Sequence, residues 1–388
     1  MKILEHKKSC CGCYACFNAC PVQAIEMVTE EEGFEFPIID EGKCINCGKC
    51  QKSCPILNAK TGCEIEEAYA SYASDISERM TSSSGGVFAV LAKTILKQNG
   101  VVCGVSFNDD MSVQHACIEE STELYKLKGT KYVQSRIGTI YSEVQEYLKK
   151  GRKVLFSGTP CQVAGLKTFL GKDYEQLYCV DLICHGVPSP EVWKDYLHEL
   201  GKEQKVTEVN FRQKEESTPQ TYLKYVLENG EIILEPKESS LYMKGFVQNL
   251  FLRESCFECN FKGKERCSDL TIGDFWSVYE FHPVFANING NSAVIVNSKK
   301  GQQLFEDAQK ELKYEKATVK EIAYWNDCLN VSTEHTHKRE DFYSEWKQKP
   351  LMQLLEELTF VPENQKKESK AARLLNRAKG KIKRILYE

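Results

Sequence analysis

The 388-residue chain has no apolar run near the roughly 20 residues needed to cross a bilayer; residues 87–92 are among its longest. Its opening residues, Met1-Lys-Ile-Leu-Glu-His-Lys-Lys8, lack the apolar core of a secretory signal. No G-x-G-x-x-G follows a strand-like run, so a Rossmann nicotinamide site is unsupported. The C-x3-C-x2-C pattern of radical-SAM enzymes is also missing. Basic charge is scarce outside one tail. Residues 366–388 hold nine Lys/Arg and two Glu, which leaves −11 on the remainder of a chain whose net charge is −4. A body this acidic is a poor partner for nucleic acid. These absences predict a cytoplasmic protein.

Cysteine, by contrast, is abundant: 19 residues, nine of them between Cys10 and Cys54. Structural disulfides are rare in the cytosol, so dense cysteine points to metal ligation or redox chemistry. Eight of the nine fall into a repeat. Cys10-x2-Cys13-x2-Cys16-x3-Cys20-Pro21 is followed by Cys44-x2-Cys47-x2-Cys50-x3-Cys54-Pro55. Three thiolates on one tight loop can face three irons of a cubane, while the fourth points away and completes the neighbouring cluster. This assigns Cys10, Cys13, Cys16 and Cys54 to one [4Fe–4S] cluster, and Cys44, Cys47, Cys50 and Cys20 to a second. Cys11 is out of register and is not expected to be a ligand. The competing reading is a pair of zinc sites, which does not explain two complete repeats with both prolines. Two clusters without a pocket of their own mean electron relay.

Beyond residue 66 strands and helices alternate. Helices are expected at 87–98, 137–150, 190–200, 241–253 and 302–312, and strands at 101–107, 153–156, 177–183 and 291–296. Asn229-Gly230 between 222–227 and 231–234 signals a hairpin. The mixture predicts an α/β or α+β core with parallel and antiparallel strands. Four body cysteines have motif-like settings. Cys161 and Cys184 follow strands, in Ser157-Gly-Thr-Pro-Cys-Gln162 and Asp181-Leu-Ile-Cys-His-Gly186. Cys256-x2-Cys259 precedes Ser268-Asp-Leu-Thr-Ile-Gly-Asp-Phe-Trp276. They could meet around a third cubane at the carboxyl edge of a sheet, where α/β proteins place cofactors. A thioredoxin-like dithiol at Cys256/Cys259, a zinc site including Cys267, and inert buried thiols remain open alternatives.

The ordered set is more specific than its members. The double repeat, Ser84-Gly-Gly86, Lys131-Tyr132, Gly158-Thr-Pro-Cys-Gln162, Cys184-His-Gly186, Phe211-Arg212, Cys256-x2-Cys259 and Thr271-Ile-Gly-Asp274 occur in sequence. The chain closely resembles the coenzyme F420 hydrogenase/dehydrogenase beta-subunit family, in the form with an N-terminal two-cluster ferredoxin, over about residues 1–320. The resemblance implies a 2x[4Fe–4S] ferredoxin-type domain at 1–60. A mixed-sheet α/β flavoprotein domain would follow in two parts, 66–150 and 151–320, and then a helical extension at 321–388. It implies Cys161, Cys184, Cys256 and Cys259 as ligands of a third [4Fe–4S] cluster, with Cys267 a spare. It also implies FAD near Ser83, Ser84, Gly85, Gly86, Lys131, Tyr132, Thr159 and Asp274. A Ser/Gly loop entering a helix can offer free N–H groups to a flavin phosphate, with Lys131 balancing the charge; the plain alternative is a helix cap.

The activity so implied is an iron–sulfur flavoprotein oxidoreductase. A hydride donor, reduced F420 or another small reductant, would feed electrons through flavin and clusters to a redox partner protein. No catalytic acid or base is required. His185, beside a proposed ligand, could tune a cluster through a hydrogen bond, or could be structural. The alternative is an electron-transfer subunit with no substrate of its own, serving a partner enzyme; bacterial relatives are linked with surface-polysaccharide biosynthesis. Residues 373–386 set Leu374, Leu375, Ala378, Ile382, Ile385 and Leu386 near one helical face with Lys/Arg opposite. That suits peripheral contact with the inner membrane face, against a docked or frayed helix.

Overall fold

The apolar runs at 101–107, 154–158 and 177–182 become neighbouring parallel strands because residues on both of their faces need burial. The computed structural model describes residues 3–58, 67–202, 204–216, 218–263 and 265–360; the basic segment at 366–388 lies outside them. In chain order the strands are β1 (Ile25–Thr29), β2 (Glu35–Ile39), β3 (Glu67–Ala73), β4 (Val101–Phe107), β5 (Val113–Ile118), β6 (Val154–Gly158), β7 (Leu177–Leu182), β8 (Val206–Lys214), β9 (Thr221–Leu227), β10 (Ile232–Pro236), β11 (Leu270–Asp274), β12 (Ser292–Val296) and β13 (Leu312–Ala317). Eight of them form one mixed sheet in the order β13-β3-β12-β11-β7-β6-β4-β5. Its centre, β4-β6-β7-β11, is parallel, with Val101 opposite Val154, Val154 opposite Leu177 and Val180 opposite Leu270. The flanking strands run antiparallel.

Successive side chains on a strand point to opposite faces, and the two cores follow that alternation. Val102, Leu155, Val180 and Leu270 pack under helices Val87–Leu96 and Lys299–Ala308. Val101, Val154, Phe156 and Leu177 pack under helices Ile140–Lys149 and Pro160–Leu170. A second sheet, β10-β9-β8, is antiparallel and joins helices Pro190–Gly201, Leu241–Val247 and Leu351–Thr359 around Trp193, Phe211 and Tyr242. The fold is therefore the expected mixed α/β type.

The cysteine-rich segment is a β1–β2 hairpin with two short helices, Ala15–Ala19 and Lys49–Lys52, which carry Cys16 and Cys50. It docks on helix Pro160–Leu170, where Thr168 Oγ1 donates to the Ser53 carbonyl at 2.6 Å. Asn18 Nδ2 donates to the Gly138 carbonyl at 2.8 Å.

Three local expectations need correction. The helix expected over 241–253 stops at Val247. Asn249 takes a left-handed φ of 65°, and the Leu250 N–H turns back to the Gly245 carbonyl. This helix-stop geometry releases Leu250, Phe251 and Leu252 from the helix into the core, and all three are fully buried. The helix expected at 302–312 is Lys299–Ala308, because the Ser298 side chain caps it at the Gly301 N–H; Leu312 instead opens β13. Cys103 and Cys117, opposite each other on β4 and β5, form a disulfide, whereas the cysteine count alone favours metal or redox roles. Among the described residues no helix is long and apolar enough to cross a membrane.

Candidate cluster sites and the adjoining basic patch

Cys10, Cys13 and Cys16 of the first repeat and Cys54 of the second line one small cavity with Ile3 and Ile56. The loop is shaped by residues in left-handed conformation, Gly12 (φ 66°) and Tyr14 (φ 62°), the second at the start of helix Ala15–Ala19. Burial raises the Cys16 and Cys54 thiols, and their neighbours among Cys10, Cys50 and one another add to the rise. Crowded, desolvated thiols are costly as free thiolates and are relieved by binding iron. Burial raises Cys50 as well, and Cys47 and Cys44 add to it. Cys20 packs in the apolar cluster that includes Cys50, and its sulfur accepts the Ala24 N–H at 3.2 Å. Cys16, Cys50, Cys54 and Cys20 thus share one apolar cluster, which brings the two cysteine repeats together.

In the body, the parallel strands deliver their carboxyl ends to one edge of the sheet. Cys161 follows β6, and Cys184 follows β7. Both line a cavity of about 780 Å³ together with Cys256 and Cys259. Cys184 is raised by burial first and then by Cys256, Cys161 and Cys259. Cys256 is pushed up to about 12, by burial foremost and then by Cys161 and Cys259. The four proposed ligands of a third cubane therefore surround one void. Among the described residues no three His, Cys, Asp or Glu side chains are grouped to hold a single metal ion. Cys328 also lines the cavity. His185 Nδ1 lies 3.3 Å from the Cys328 sulfur and Nε2 lies 2.7 Å from Asn249 Oδ1, so its ring addresses neither neighbouring proposed ligand.

Cys11, out of register in the repeat, lines both cavities. Its sulfur is within hydrogen-bond reach of those of Cys13 and Cys161. The two sites are adjacent through this residue, a contact across about 150 residues of chain that no spacing rule could have shown.

The residues expected to hold a flavin divide. Ser84, Tyr132 and Asp274 meet around Arg212, whose Nη1 donates to Asp274 Oδ2 at 2.6 Å. Ser83 instead accepts the Thr130 N–H on its hydroxyl at 2.6 Å. Lys131 folds back onto the carbonyls of Lys126, Lys128 and Gly129. The Gly85 N–H is already taken by Ser292 Oγ at 3.0 Å, and Gly86 caps helix Val87–Leu96. Thr159 stands apart: its hydroxyl is 3.1 Å from the Cys161 sulfur, and with Gln162 it caps helix Pro160–Leu170.

Positive charge at this edge comes largely from residues the motif reading did not select. Lys214, at the end of β8, donates to the carbonyls of Arg79, Ser84 and Asn289. Burial and the Arg212 charge pull it down to about 7. Burial alone brings Lys131 to about 7. Lys237 is lowered by burial and by Arg212. Lys214 and Lys237 face the Asp274 carboxylate, held below its usual range by Arg212 against the cost of burial. Arg79 Nε, Arg212 Nε and Asn289 Oδ1 are buried with no protein partner. Surplus buried charge with orphaned polar atoms fits an anionic cofactor.

These two features, paired cubane-type cysteine sets and an α/β body with thiols at its carboxyl edge, define an iron–sulfur electron-transfer protein. Residues 151–322 match the family model for the C terminus of the coenzyme F420 hydrogenase/dehydrogenase beta subunit. Residues 9–57 match a 4Fe-4S dicluster domain, and a second dicluster model matches 36–90. The chain thus matches [4Fe–4S] dicluster models near its N-terminal end and that beta-subunit model over 151–322, in the order of the motifs. No curated protein matches it. Among solved structures, a chain in the xenon-derivatised F420-reducing [NiFe] hydrogenase complex from Methanosarcina barkeri is similar. The likeness covers 65% of this chain and 82% of that one, at 15% identity and a TM-score of 0.45.

Proposed function

We propose that the protein is an iron–sulfur flavoprotein oxidoreductase with three [4Fe–4S] clusters, passing electrons between a small hydride donor and a redox partner protein. The observation that carries this reading is the closure of Cys161, Cys184, Cys256 and Cys259 around one cavity that shares Cys11 with the first ferredoxin site. In an electron-relay protein, adjacent cluster sites set the route.

The basic patch supports FAD as the group that exchanges a two-electron hydride for the single electrons that clusters carry. Lys214, Arg212 and Lys237 would balance its phosphates. Asp274, fixed by Arg212, and the Ser83 and Ser84 hydroxyls would supply orienting hydrogen bonds. The protein's part is to hold these groups without a proton-transferring residue of its own. Peripheral membrane attachment through 366–388 and a role for a partner enzyme remain part of this proposal.

Anaerobic purification followed by flavin analysis and stopped-flow reduction tests it. One flavin per chain, bleached rapidly by reduced F420 or NAD(P)H, is the expected result. Absence of flavin would reject the oxidoreductase reading. Flavin that is present but bleached by neither donor would favour the electron-transfer subunit fed by a partner. For the tail, liposome flotation should fall when residues 366–388 are removed; equal flotation would reject anchoring.

A further inference from the structure

Arg253 lies between the first ferredoxin site and the body site and is 1% exposed. Its Nε donates to the Cys10 carbonyl at 2.7 Å, Nη2 to the Glu35 carbonyl at 2.9 Å, and Nη1 to Gln134 Oε1 at 3.0 Å. Gln134 Nε2 in turn donates to the Cys11 carbonyl at 3.0 Å. The guanidinium carbon stands 4.4 Å from the Phe36 ring and 5.2 Å from the Phe34 ring. On the other side, the Arg253 carbonyl accepts the Cys256 N–H at 2.9 Å. One residue therefore ties the first cysteine loop to the hairpin of the body site.

The hydrogen bonds satisfy the protons of the fork but not its charge. Every acceptor is a neutral carbonyl or amide. Among the described residues Arg253 has no carboxylate in ion-pair range. The adjacent Glu254 carboxylate is spent on Arg339 and Lys8, at 3.2 and 3.6 Å. A guanidinium cannot discharge itself by losing a proton, and an uncompensated buried charge is strongly unfavourable. The counter-charge must therefore come from something else at the site. Its field reaches the thiols of Cys161 and Cys256, which it lowers against the effect of burial.

We propose that Arg253 is the shared counter-charge of the two cubanes that flank it, the one on Cys10, Cys13, Cys16 and Cys54 and the one on Cys161, Cys184, Cys256 and Cys259. A four-thiolate cubane is an anion, and one-electron reduction makes it more negative. A fixed cation beside it stabilises the reduced form more than the oxidised form and raises the reduction potential. Arg253 thus marks the crossing point between body and ferredoxin segment. A cation at this position would favour an added electron on either cubane with no proton moved. The inference rests on the three-cluster reading, and Arg253 acts as a positioning and potential-setting residue.

The test is a spectropotentiometric EPR titration of the anaerobically purified full chain, with iron counted for each variant. In Arg253→Gln the potentials of both flanking cubanes should fall, while the cubane on Cys44, Cys47, Cys50 and Cys20 stays where it was. Arg253→Lys, which keeps the charge but loses the fork, should remain near the parent values. Gln134→Glu supplies the missing carboxylate without touching Arg253 and should lower the same two potentials. This variant decides the matter if Arg253→Gln fails to retain its iron. Unshifted potentials in iron-replete Arg253→Gln or Gln134→Glu would overturn the proposal. So would an Arg253→Lys shift as large as that of Arg253→Gln, since the fork alone would then matter. A parent protein with about eight irons would instead refute the three-cluster reading. In that case the Arg253 proposal would stand or fall on the shift of the first ferredoxin cubane alone.

Discussion

Lys131 and Lys214 are brought to about 7 by burial, with Arg212 adding to the effect at Lys214. Their ordinary value is about 10.4, so both become neutral in the flavin-free protein as pH rises through about 7. An anionic cofactor prefers the charged ammonium. Flavin binding is therefore expected to weaken from pH 6 to pH 9 and to take up protons near pH 8, which calorimetry in buffers of different ionisation enthalpy would measure. The folding linkage has the opposite sense. Between about 7 and 10.4 the unfolded chain binds more protons than the folded one, so stability of the flavin-free protein rises with pH across that window. Arg212 provides a second prediction. Arg212→Gln leaves Asp274 buried without its partner, which costs about 3 kcal/mol. The variant should melt lower and lose flavin, seen by thermal denaturation and by the flavin spectrum of the purified protein.

Among the elements, helix Pro160–Leu170 carries the junction between ferredoxin segment and body. It starts beside Cys161 and presents Gly165 to the first cysteine loop. A Cβ at Gly165 would stand 2.9 Å from both Cβ and Sγ of Cys13, closer than atoms can approach. Gly165→Ala should therefore displace Cys13, with an overpacking cost of about 1–3 kcal/mol and loss of about four irons. Iron analysis beside a melting curve would show both. Several of these elements could be read directly from the chain. Residues 101–107 and 177–182 are mostly apolar, the first bounded by Asn99-Gly100 and Asn108-Asp109, and both fold as strands. The eight cysteines of the double repeat declare themselves because their spacing is local. The helix stop at Asn249 was not visible, because apolar residues continue on both sides of Gln248-Asn249 and only the tertiary core decides that Leu250 to Leu252 leave the helix. The Cys103–Cys117 disulfide was hidden for a similar reason: it depends on the register of β4 against β5.

For the whole molecule, the legible and illegible parts of the site have one physical distinction. Motif residues proposed to face a cofactor, such as Cys161, Cys184 and Asp274, sit at or just past strand ends and carry a local signature. The residues that join the parts, Arg253, Gln134, Cys11 and Lys214, act across 75 to 243 residues of chain and have ordinary sequence surroundings. The assembled picture is a path from a basic patch at the carboxyl edge of the sheet, through a four-thiol cavity, to two ferredoxin sites. Its central claim is the third cluster. The most direct measurement is the iron and acid-labile sulfide content of the anaerobically purified chain beside that of the double variant Cys184→Ala/Cys256→Ala. The account predicts about 12 irons per chain in the parent and about 8 in the variant. About 8 in both would contradict it.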